Sequence, residues 1–174
     1  ECAEMSGESA SRTNPMIPIV QRDLLEALVA TGKPVVLLLF TGRPLILNWE
    51  DAHVHSILNV WFGGSETGDA VADVLFGKKS PCGKLTTTFP RSVGQLPLYY
   101  NHLNTGRPDS DAYVFNRYAS NYLDESNEPL YPFGYGLSYT TFTYSNMQLS
   151  TETLAEDGKL TVSVTVANEG DSDG

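Results

Sequence analysis

Residues 126–142 are the part of the chain that most limits what it can fold into. Their sequence, SNEPLYPFGYGLSYTTF, sets aromatic side chains among prolines and glycines. Proline fixes φ and lacks an amide donor, and glycine populates left-handed conformations, so this order suits neither a helix nor a central strand. The aromatic rings of this segment are rigid, and those of the tyrosines carry a polar hydroxyl. The segment therefore predicts a structured loop that packs between domains or against a ligand.

Composition and charge exclude several classes of protein. With 174 residues, of which 41% are hydrophobic and 18% charged, the chain has the composition of a globular domain with a sizeable core. The formal net charge of -10, from 11 basic and 21 acidic residues, repels phosphate backbones and anionic membrane surfaces. The longest wholly apolar run, residues 35–40, is far shorter than the roughly 18 residues that span a bilayer. We therefore expect no nucleic-acid partner and no membrane segment.

The first half of the chain alternates helical and extended patterns. Residues 18–31 and 67–76 repeat apolar positions at helical spacing and are followed by glycines, and residues 48–54 predict a short helical stretch. Residues 35–40 and 56–62 are short apolar runs, and the first of them predicts a strand covered on both faces. Strands of this kind belong to parallel sheets. The alternation predicts an α/β fold, a layered α/β sandwich whose first strands precede this chain.

The second half has a different pattern. Residues 90–136 lack periodicity and are rich in Asn, Tyr, Pro and Gly, which indicates a long surface-wrapping loop with a specific role. In the part that begins at Phe142, apolar residues alternate with polar ones at 160–166, as in a half-buried antiparallel strand. We therefore predict a first domain over residues 1–141 and the beginning of a second, incomplete domain over residues 142–174.

Three motifs occur in one order, and together they resemble a known family. They are WFGGSETGDAVADVLFG at 61–77, GKLTTTFPRS at 83–92 and the aromatic segment at 126–142. From the turn at residues 7–12 to the strands near Val166, the chain is similar to the C-terminal half of glycoside hydrolase family 3, and within it to bacterial periplasmic β-glucosidases. The resemblance implies the α/β sandwich, a truncated fibronectin type III-like β-sandwich after it, a periplasmic or secreted location and no cofactor.

The same resemblance implies a retaining glycosidase that hydrolyses terminal non-reducing β-D-glucosyl residues of oligosaccharides or glucosides. Retention requires two carboxyl groups about 5 to 5.5 Å apart. In the family the nucleophile is an Asp on a separate (β/α)8 barrel domain, expected outside this chain, and the acid/base Glu comes from a loop of the sandwich domain. By motif position that residue is Glu8, with Glu4 as the second choice and Arg12 placed to bias its carboxyl. The chain alone is therefore expected to be inactive, and the choice between β-glucosides and β-xylosides stays open.

Other catalytic and binding motifs fail on their spacing. Glu66 lies at the start of a predicted helix, where free amides and the helix dipole explain a carboxylate. His53 and His55 are two residues apart on a helical stretch and do not share a face, so we predict no metal site. The segment 63–68 lacks the residues of nucleotide-binding loops, and 136–140 lacks the last glycine of a nucleophile elbow. A serine hydrolase is therefore a weak alternative, and nucleotide binding is excluded.

Aromatic side chains on the long loop support a second hypothesis, a non-catalytic module that binds carbohydrate or assembles with a partner domain. Rings of this kind cover the apolar faces of sugars or pack between domains, and packing is favoured because residues spread along a loop seldom meet in one pocket. The residues concerned are Tyr99, Tyr100, Tyr113, Phe115, Tyr118, Tyr122, Tyr131 and Tyr135. The two cysteines, Cys2 and Cys82, lack metal-ligand spacing, and whether they pair is open.

Overall fold

The computed structural model describes residues 5–104, 106–108 and 117–174. In this part of the chain, short helices and strands alternate before two longer strands follow. The elements are α1 (Ile19–Ala30), β1 (Val36–Leu39), α2 (Asn48–His53), β2 (Ser56–Asn59), α3 (Thr67–Leu75), a 3-10 turn (Val93–Gln95), β3 (Phe142–Leu149) and β4 (Val162–Asn168). The helices and strands predicted in the first half are all present and slightly shorter than predicted. None of the described helices is long and apolar enough to cross a membrane.

The chain separates into two compact units, each built from two stretches. The first unit combines the part up to Ser65 with Lys84–Tyr135, and the second combines Glu66–Gly83 with Gly136–Gly174. Helix α3 is therefore grouped with β3 and β4. The domain boundaries expected from the sequence, 1–141 and 142–174, stay a prediction, because a domain is a part of the chain that can fold by itself and a compact unit need not do so.

Strands β1 and β2 form a parallel pair in the first unit. The register runs from Val36 opposite Ser56 to Leu39 opposite Asn59, with α2 in the connection between the strands. This arrangement confirms the prediction of parallel strands. The prediction that β1 is covered on both faces is wrong for the described chain, since Val36 is 48% exposed and the sheet here has two strands only. A strand becomes fully covered only where layers lie on both sides of it.

The core of the first unit forms at the end of β1, on the segment that follows β1 and within the GKLTTTFPRS motif. Its buried hydrophobic residues are Leu39, Leu45, Leu47 and Phe89. The Phe89 ring lies 6.0 Å from the ring centroid of Trp61 and 6.0 Å from that of Tyr131. Close packing of aromatic rings around one side chain excludes water and accounts for much of the stability of a small core.

The aromatic segment contributes directly to this core. The Phe89 amide donates to the Tyr131 carbonyl at 2.9 Å, and the Leu130 amide donates to the Phe89 carbonyl at 2.9 Å. Leu130 and Tyr131 pack against the buried cluster. The prediction that the whole of 90–136 wraps the surface is therefore wrong at these two positions, because the prolines on either side hold an extended pair that bonds to the strand-like residue Phe89.

An ion pair joins α1 to α2. Glu50 is 1% exposed, and its Oε1 lies 3.0 Å from Nη1 of Arg22. The Arg22 guanidinium also stacks on the Trp49 ring at 3.9 Å. A buried carboxylate requires such compensation, since removal of a charge from water is costly. Nothing in the sequence pattern distinguished Glu50 from a solvated helix residue.

The hydroxyl of Tyr131 donates to Oδ1 of Asp51 at 2.5 Å. Burial, and then this contact with Asp51, raises the pKa of Tyr131 well above its ordinary value. The phenol therefore remains protonated and keeps its role as donor in the neutral range. Because the pKa is higher in the folded than in the unfolded state, the stabilisation is complete below about pH 10 and is lost as the pH rises further.

The second unit contains α3 and an antiparallel pair of strands. The register of β3 and β4 runs from Phe142 opposite Asn168 to Leu149 opposite Val162. The antiparallel pairing confirms the prediction. The prediction that the last strand is half-buried is wrong, because all residues of β4 are exposed. A two-stranded sheet buries neither face by itself. Two antiparallel strands occur in many β architectures, so the fibronectin type III-like assignment stays a prediction.

Two glycines of the second unit are expected to respond oppositely to alanine. Gly77 follows α3 with φ +73 and its amide donates to the Val74 carbonyl at 3.0 Å, whereas Gly68 lies inside α3 with nothing within 4 Å of an added Cβ. Alanine at position 77 is strained, and we expect Gly77→Ala to lower the free energy of unfolding by about 1 kcal/mol. We expect Gly68→Ala to raise it by up to about 1 kcal/mol, since alanine favours a helix. Urea denaturation of both variants tests this, and effects of the same sign would contradict it.

Candidate functional site

The turn that carries Glu8 is a compact feature of the first unit. Ser9 adopts φ 61, and the Ala10 amide donates to the Gly7 carbonyl at 3.3 Å. Left-handed backbone at a residue other than glycine is uncommon and is maintained only by its surroundings. Glu8 is exposed at this turn. Its side chain is thus accessible from outside the unit.

Arg43 holds the turn from both sides. Its Nη2 donates to the Met5 carbonyl at 2.5 Å and to the Ala10 carbonyl at 2.7 Å. These two carbonyls precede and follow Glu8 in the chain. An arginine side chain suits this contact, because its planar guanidinium presents several N–H donors in fixed directions.

The backbone of Arg43 is itself anchored by a buried threonine. The Thr41 side chain is 0% exposed, accepts from the Arg43 amide at 3.2 Å and donates to the Arg43 carbonyl at 3.0 Å. Both residues lie in the loop that follows β1. The sequence analysis missed Arg43, and the one local signal for it is its place in a Thr-Gly-Arg-Pro turn just after a buried strand.

Gly42 allows the turn to lie against the end of β1. A Cβ atom added at this position would lie 1.9 Å from Oγ of Ser6 and 2.8 Å from Cε2 of Phe62. Such distances are below van der Waals contact, so a side chain here displaces its neighbours. The glycine is therefore a condition for the close approach of the turn, β1 and the segment after β2.

A cleft of about 430 Å³ opens beside the turn. Its lining residues come from the turn, from the loop after β1 and from the loop after β2: Ser6, Gly7, Ser9, Ala10, Ser11, Gly42, Arg43 and Phe62. In parallel α/β sheets, ligands bind outside the carboxyl ends of the strands, where these loops meet. Trp61, just before Phe62, adopts φ 56, a strained backbone of the kind that accumulates at functional sites.

Arg12 contacts the segment that follows the turn. Its Nη2 donates to the Met16 carbonyl at 3.0 Å. This bond stabilises the path of the chain between the turn and α1. The expected influence of Arg12 on the Glu8 carboxyl stays a prediction. The second choice for the acid/base residue, Glu4, lies outside the described residues, as do Glu1 and Cys2, whereas Cys82 is exposed.

His53 and His55 make local contacts. Nδ1 of His53 lies 2.7 Å from the Trp49 carbonyl, and the two rings stack at 4.3 Å. Nδ1 of His55 accepts from the Val35 amide at 3.2 Å. Among the described residues there is no group of three His, Cys, Asp or Glu side chains that could hold a metal ion. The His53 contacts lie within α2, whereas the His55 contact joins the residue before β2 to the residue before β1.

Glu66 stands at the N-cap of α3 and is exposed. Its side chain makes no capping hydrogen bond, although its carbonyl accepts from the Ala70 amide at 3.1 Å. The position of Glu66 is therefore explained by its backbone hydrogen bond and by the favourable interaction of a carboxylate with the helix dipole, and not by a side-chain cap.

The aromatic residues of the long loop form local pairs. Tyr131 and Tyr135 stack at 5.1 Å, and Tyr100 and Phe133 stack at 4.3 Å. Tyr100 remains 67% exposed in its pair. Tyr113 and Phe115, also predicted to take part, lie outside the described residues.

Comparison with known proteins identifies what the chain is similar to. The profile of the glycosyl hydrolase family 3 C-terminal domain matches residues 1–139. The periplasmic β-glucosidase of Salmonella typhimurium is 58% identical over all 174 residues, which make up 23% of that protein. A β-xylosidase of Formosa agariphila is 44% identical over 94% of the chain and 22% of its own length.

Solved structures have the same fold. The crystal structure of a β-glucosidase from Listeria innocua superposes with a TM-score of 0.94, at 42% identity over 100% of the chain and 24% of that protein. Its complex with isofagomine superposes with a TM-score of 0.93. The chain therefore spans about a quarter of the length of these relatives.

Proposed function

Because the chain belongs to glycosyl hydrolase family 3, we propose that it supplies the proton-transferring residue, Glu8, of a retaining β-glucosidase. The observation that carries this proposal is the position of the Glu8 turn. The turn borders a cleft at the carboxyl ends of two parallel strands, and Arg43 bonds to the backbone on both sides of Glu8. The backbone that carries Glu8 is thus held beside the cleft while its side chain is exposed, and proton transfer requires a carboxyl within reach of the bound substrate.

The reaction assigns Glu8 two successive roles. In the first step its carboxylic acid protonates the glycosidic oxygen as the C–O bond breaks, while a nucleophilic Asp forms a bond to the anomeric carbon. In the second step its carboxylate removes a proton from water, which attacks the same carbon and releases the Asp. We place the Asp on a (β/α)8 barrel domain outside this chain, as the family resemblance implies.

The exposure of Glu8 in the isolated chain is consistent with a site whose proton donor and nucleophile lie on different domains. A general acid that works at neutral pH needs a pKa raised by partial burial or by a neighbouring carboxylate. A barrel domain that covers the turn would provide both. The chain alone then has a proton donor with no nucleophile and no closed site, and we expect it to be inactive.

The substrate class proposed is a β-linked glucoside with its glucose at the non-reducing end, and the location proposed is the periplasm or the cell exterior. Support comes from the relatives described as β-glucosidases, one of them periplasmic. A relative described as a β-xylosidase keeps β-xylosides as the alternative substrate. Comparison of kcat/KM for aryl β-glucosides and aryl β-xylosides decides between them.

The proposal is tested with a hybrid enzyme, in which this chain replaces the 174 matching residues of the Salmonella typhimurium β-glucosidase. The hybrid and the chain alone are assayed with 4-nitrophenyl β-glucoside. We expect hydrolysis by the hybrid and none by the chain alone. Hydrolysis by the chain alone would contradict the assignment of the nucleophile to another domain, and a folded but inactive hybrid would contradict the proposed function.

A non-catalytic carbohydrate-binding or assembly module is the second candidate. The exposed stack of Tyr100 on Phe133 favours it, since an open aromatic face suits a sugar ring or a partner domain. The titration of cellobiose into the chain alone, followed by tyrosine fluorescence, tests this candidate. Saturable binding that Tyr100→Ala abolishes and Glu8→Gln leaves unchanged would support it.

A further inference from the structure

We infer that Arg43 is a positioning residue that sets the place of the Glu8 carboxyl for proton transfer, an inference that rests on the proposed function. One guanidinium nitrogen bonds to the carbonyls of Met5 and Ala10, at 2.5 and 2.7 Å. Glu8 lies between these two carbonyls in the chain. Loss of the side chain therefore frees both ends of the turn at once.

The turn depends on support from outside itself. Its internal hydrogen bond, from the Ala10 amide to the Gly7 carbonyl, is long at 3.3 Å, and Ser9 holds a left-handed backbone. A turn of mostly small residues with one long hydrogen bond has a weak preference for a single conformation. The contacts from Arg43 compensate for this, because each bond to a charged donor is stronger than a neutral one.

Arg43 is itself well placed to act as a rigid support. Its backbone is bonded to the buried Thr41 side chain, and the adjacent Gly42 leaves room for Ser6 of the turn. The loop at the carboxyl end of β1 thereby determines where the acid/base residue lies.

The expected effect is selective for the proton-transfer step. A displacement of about 1 Å reduces a catalytic step by roughly 10²-fold. This loss applies to substrates whose leaving group must be protonated, such as cellobiose. It does not apply to 2,4-dinitrophenyl β-glucoside, whose leaving group departs as a stable anion and needs little acid assistance in the first step. A loss of folded enzyme would instead lower kcat/KM for both substrates by the same factor.

The test uses the hybrid enzyme with Arg43→Met, Arg43→Lys and the control Arg91→Met. Arg91 also bonds a backbone carbonyl of the first unit, that of Glu128 at 3.1 Å, and among the described residues this is the carbonyl its side chain reaches rather than one of the turn. For Arg43→Met we expect kcat/KM to fall about 30- to 100-fold with cellobiose and less than about 3-fold with 2,4-dinitrophenyl β-glucoside. Arg43→Lys should recover part of the cellobiose activity, and Arg91→Met should change the ratio between the substrates less than about 2-fold.

Equal losses on both substrates in Arg43→Met would overturn the inference. Hydrogen exchange supplies a readout that does not depend on activity: amides of residues 5–12 should exchange faster in Arg43→Met and at the original rate in Arg91→Met. Unchanged exchange in Arg43→Met would also overturn it. Failure of the proposed function is separately visible, because Glu8→Gln would then leave the ratio between the two substrates unchanged whatever Arg43→Met does.

Discussion

In the hybrid enzyme, Glu8→Gln is expected to lower kcat/KM for cellobiose by roughly 10² to 10⁴, the usual contribution of a general acid. Glutamine has nearly the shape of glutamate but cannot donate the proton that the leaving oxygen requires. With 2,4-dinitrophenyl β-glucoside, kcat/KM should fall less than about 10-fold, because this value reports the first step and the leaving group needs little protonation.

The second step distinguishes Glu8 from a residue that only binds substrate. Without the carboxylate base, water attacks the glycosyl-enzyme slowly, so kcat for 2,4-dinitrophenyl β-glucoside should fall steeply. Azide is an anion and needs no base to attack. We therefore expect added azide to restore kcat in Glu8→Gln and to yield β-glucosyl azide, with the anomeric configuration of the substrate retained.

Glu66→Gln and Glu4→Gln are the matched controls for this prediction. Glu66 is exposed at the start of α3, and its replacement should leave both substrates unaffected. If Glu4→Gln, rather than Glu8→Gln, produced the selective loss and the azide rescue, the acid/base role would pass to Glu4. If neither variant did so, neither Glu8 nor Glu4 would be the proton donor.

Phe89→Ala is expected to lower the free energy of unfolding of the 174-residue chain by about 3 to 5 kcal/mol. Phe89 is 1% exposed and touches the buried leucine cluster, Trp61 and Tyr131. Removal of its ring discards a large apolar surface and leaves a cavity that its neighbours fill only in part. Because domains of this size are stable by only about 5 to 15 kcal/mol, the variant should be close to unfolded at 37 °C.

Urea denaturation followed by tryptophan fluorescence measures this effect, since Trp61 lies against Phe89. The control is Phe76→Ala, the same substitution at a phenylalanine that is 82% exposed, and it should change the free energy of unfolding by less than about 0.5 kcal/mol. Similar losses in the two variants would show that Phe89 is not the centre of the core.

Helix α3 shows how much a local pattern can predict. Its apolar spacing and the glycine after it indicated both the element and its end, and the structure has the helix at Thr67–Leu75 with Gly77 in a left-handed conformation. Similarly, the short apolar run before Thr41 predicted a parallel strand. Such features depend on residues that are close together in the sequence, so the order of residues is sufficient to predict them.

The Glu8 turn shows what a local pattern cannot predict. Periodicity and composition gave no reason to single out Glu8, and only the resemblance of its motif to a family did so. The support of the turn by Arg43 was not predictable at all, because the bonded residues are 38 and 33 positions apart. From the sequence, Arg43 resembles any solvated cation in a turn, and only folding brings its guanidinium to the carbonyls.

The sequence by itself determined the order and type of the elements, the parallel and antiparallel pairings, and the family. The tertiary structure alone decided which polar residues are buried and what they contact: Glu50 with Arg22, Tyr131 with Asp51, and Arg43 with the Glu8 turn. The reason is physical. Element type follows from local sterics and hydrophobic spacing, whereas the burial of a charge or a hydroxyl depends on which distant segments exclude water from it.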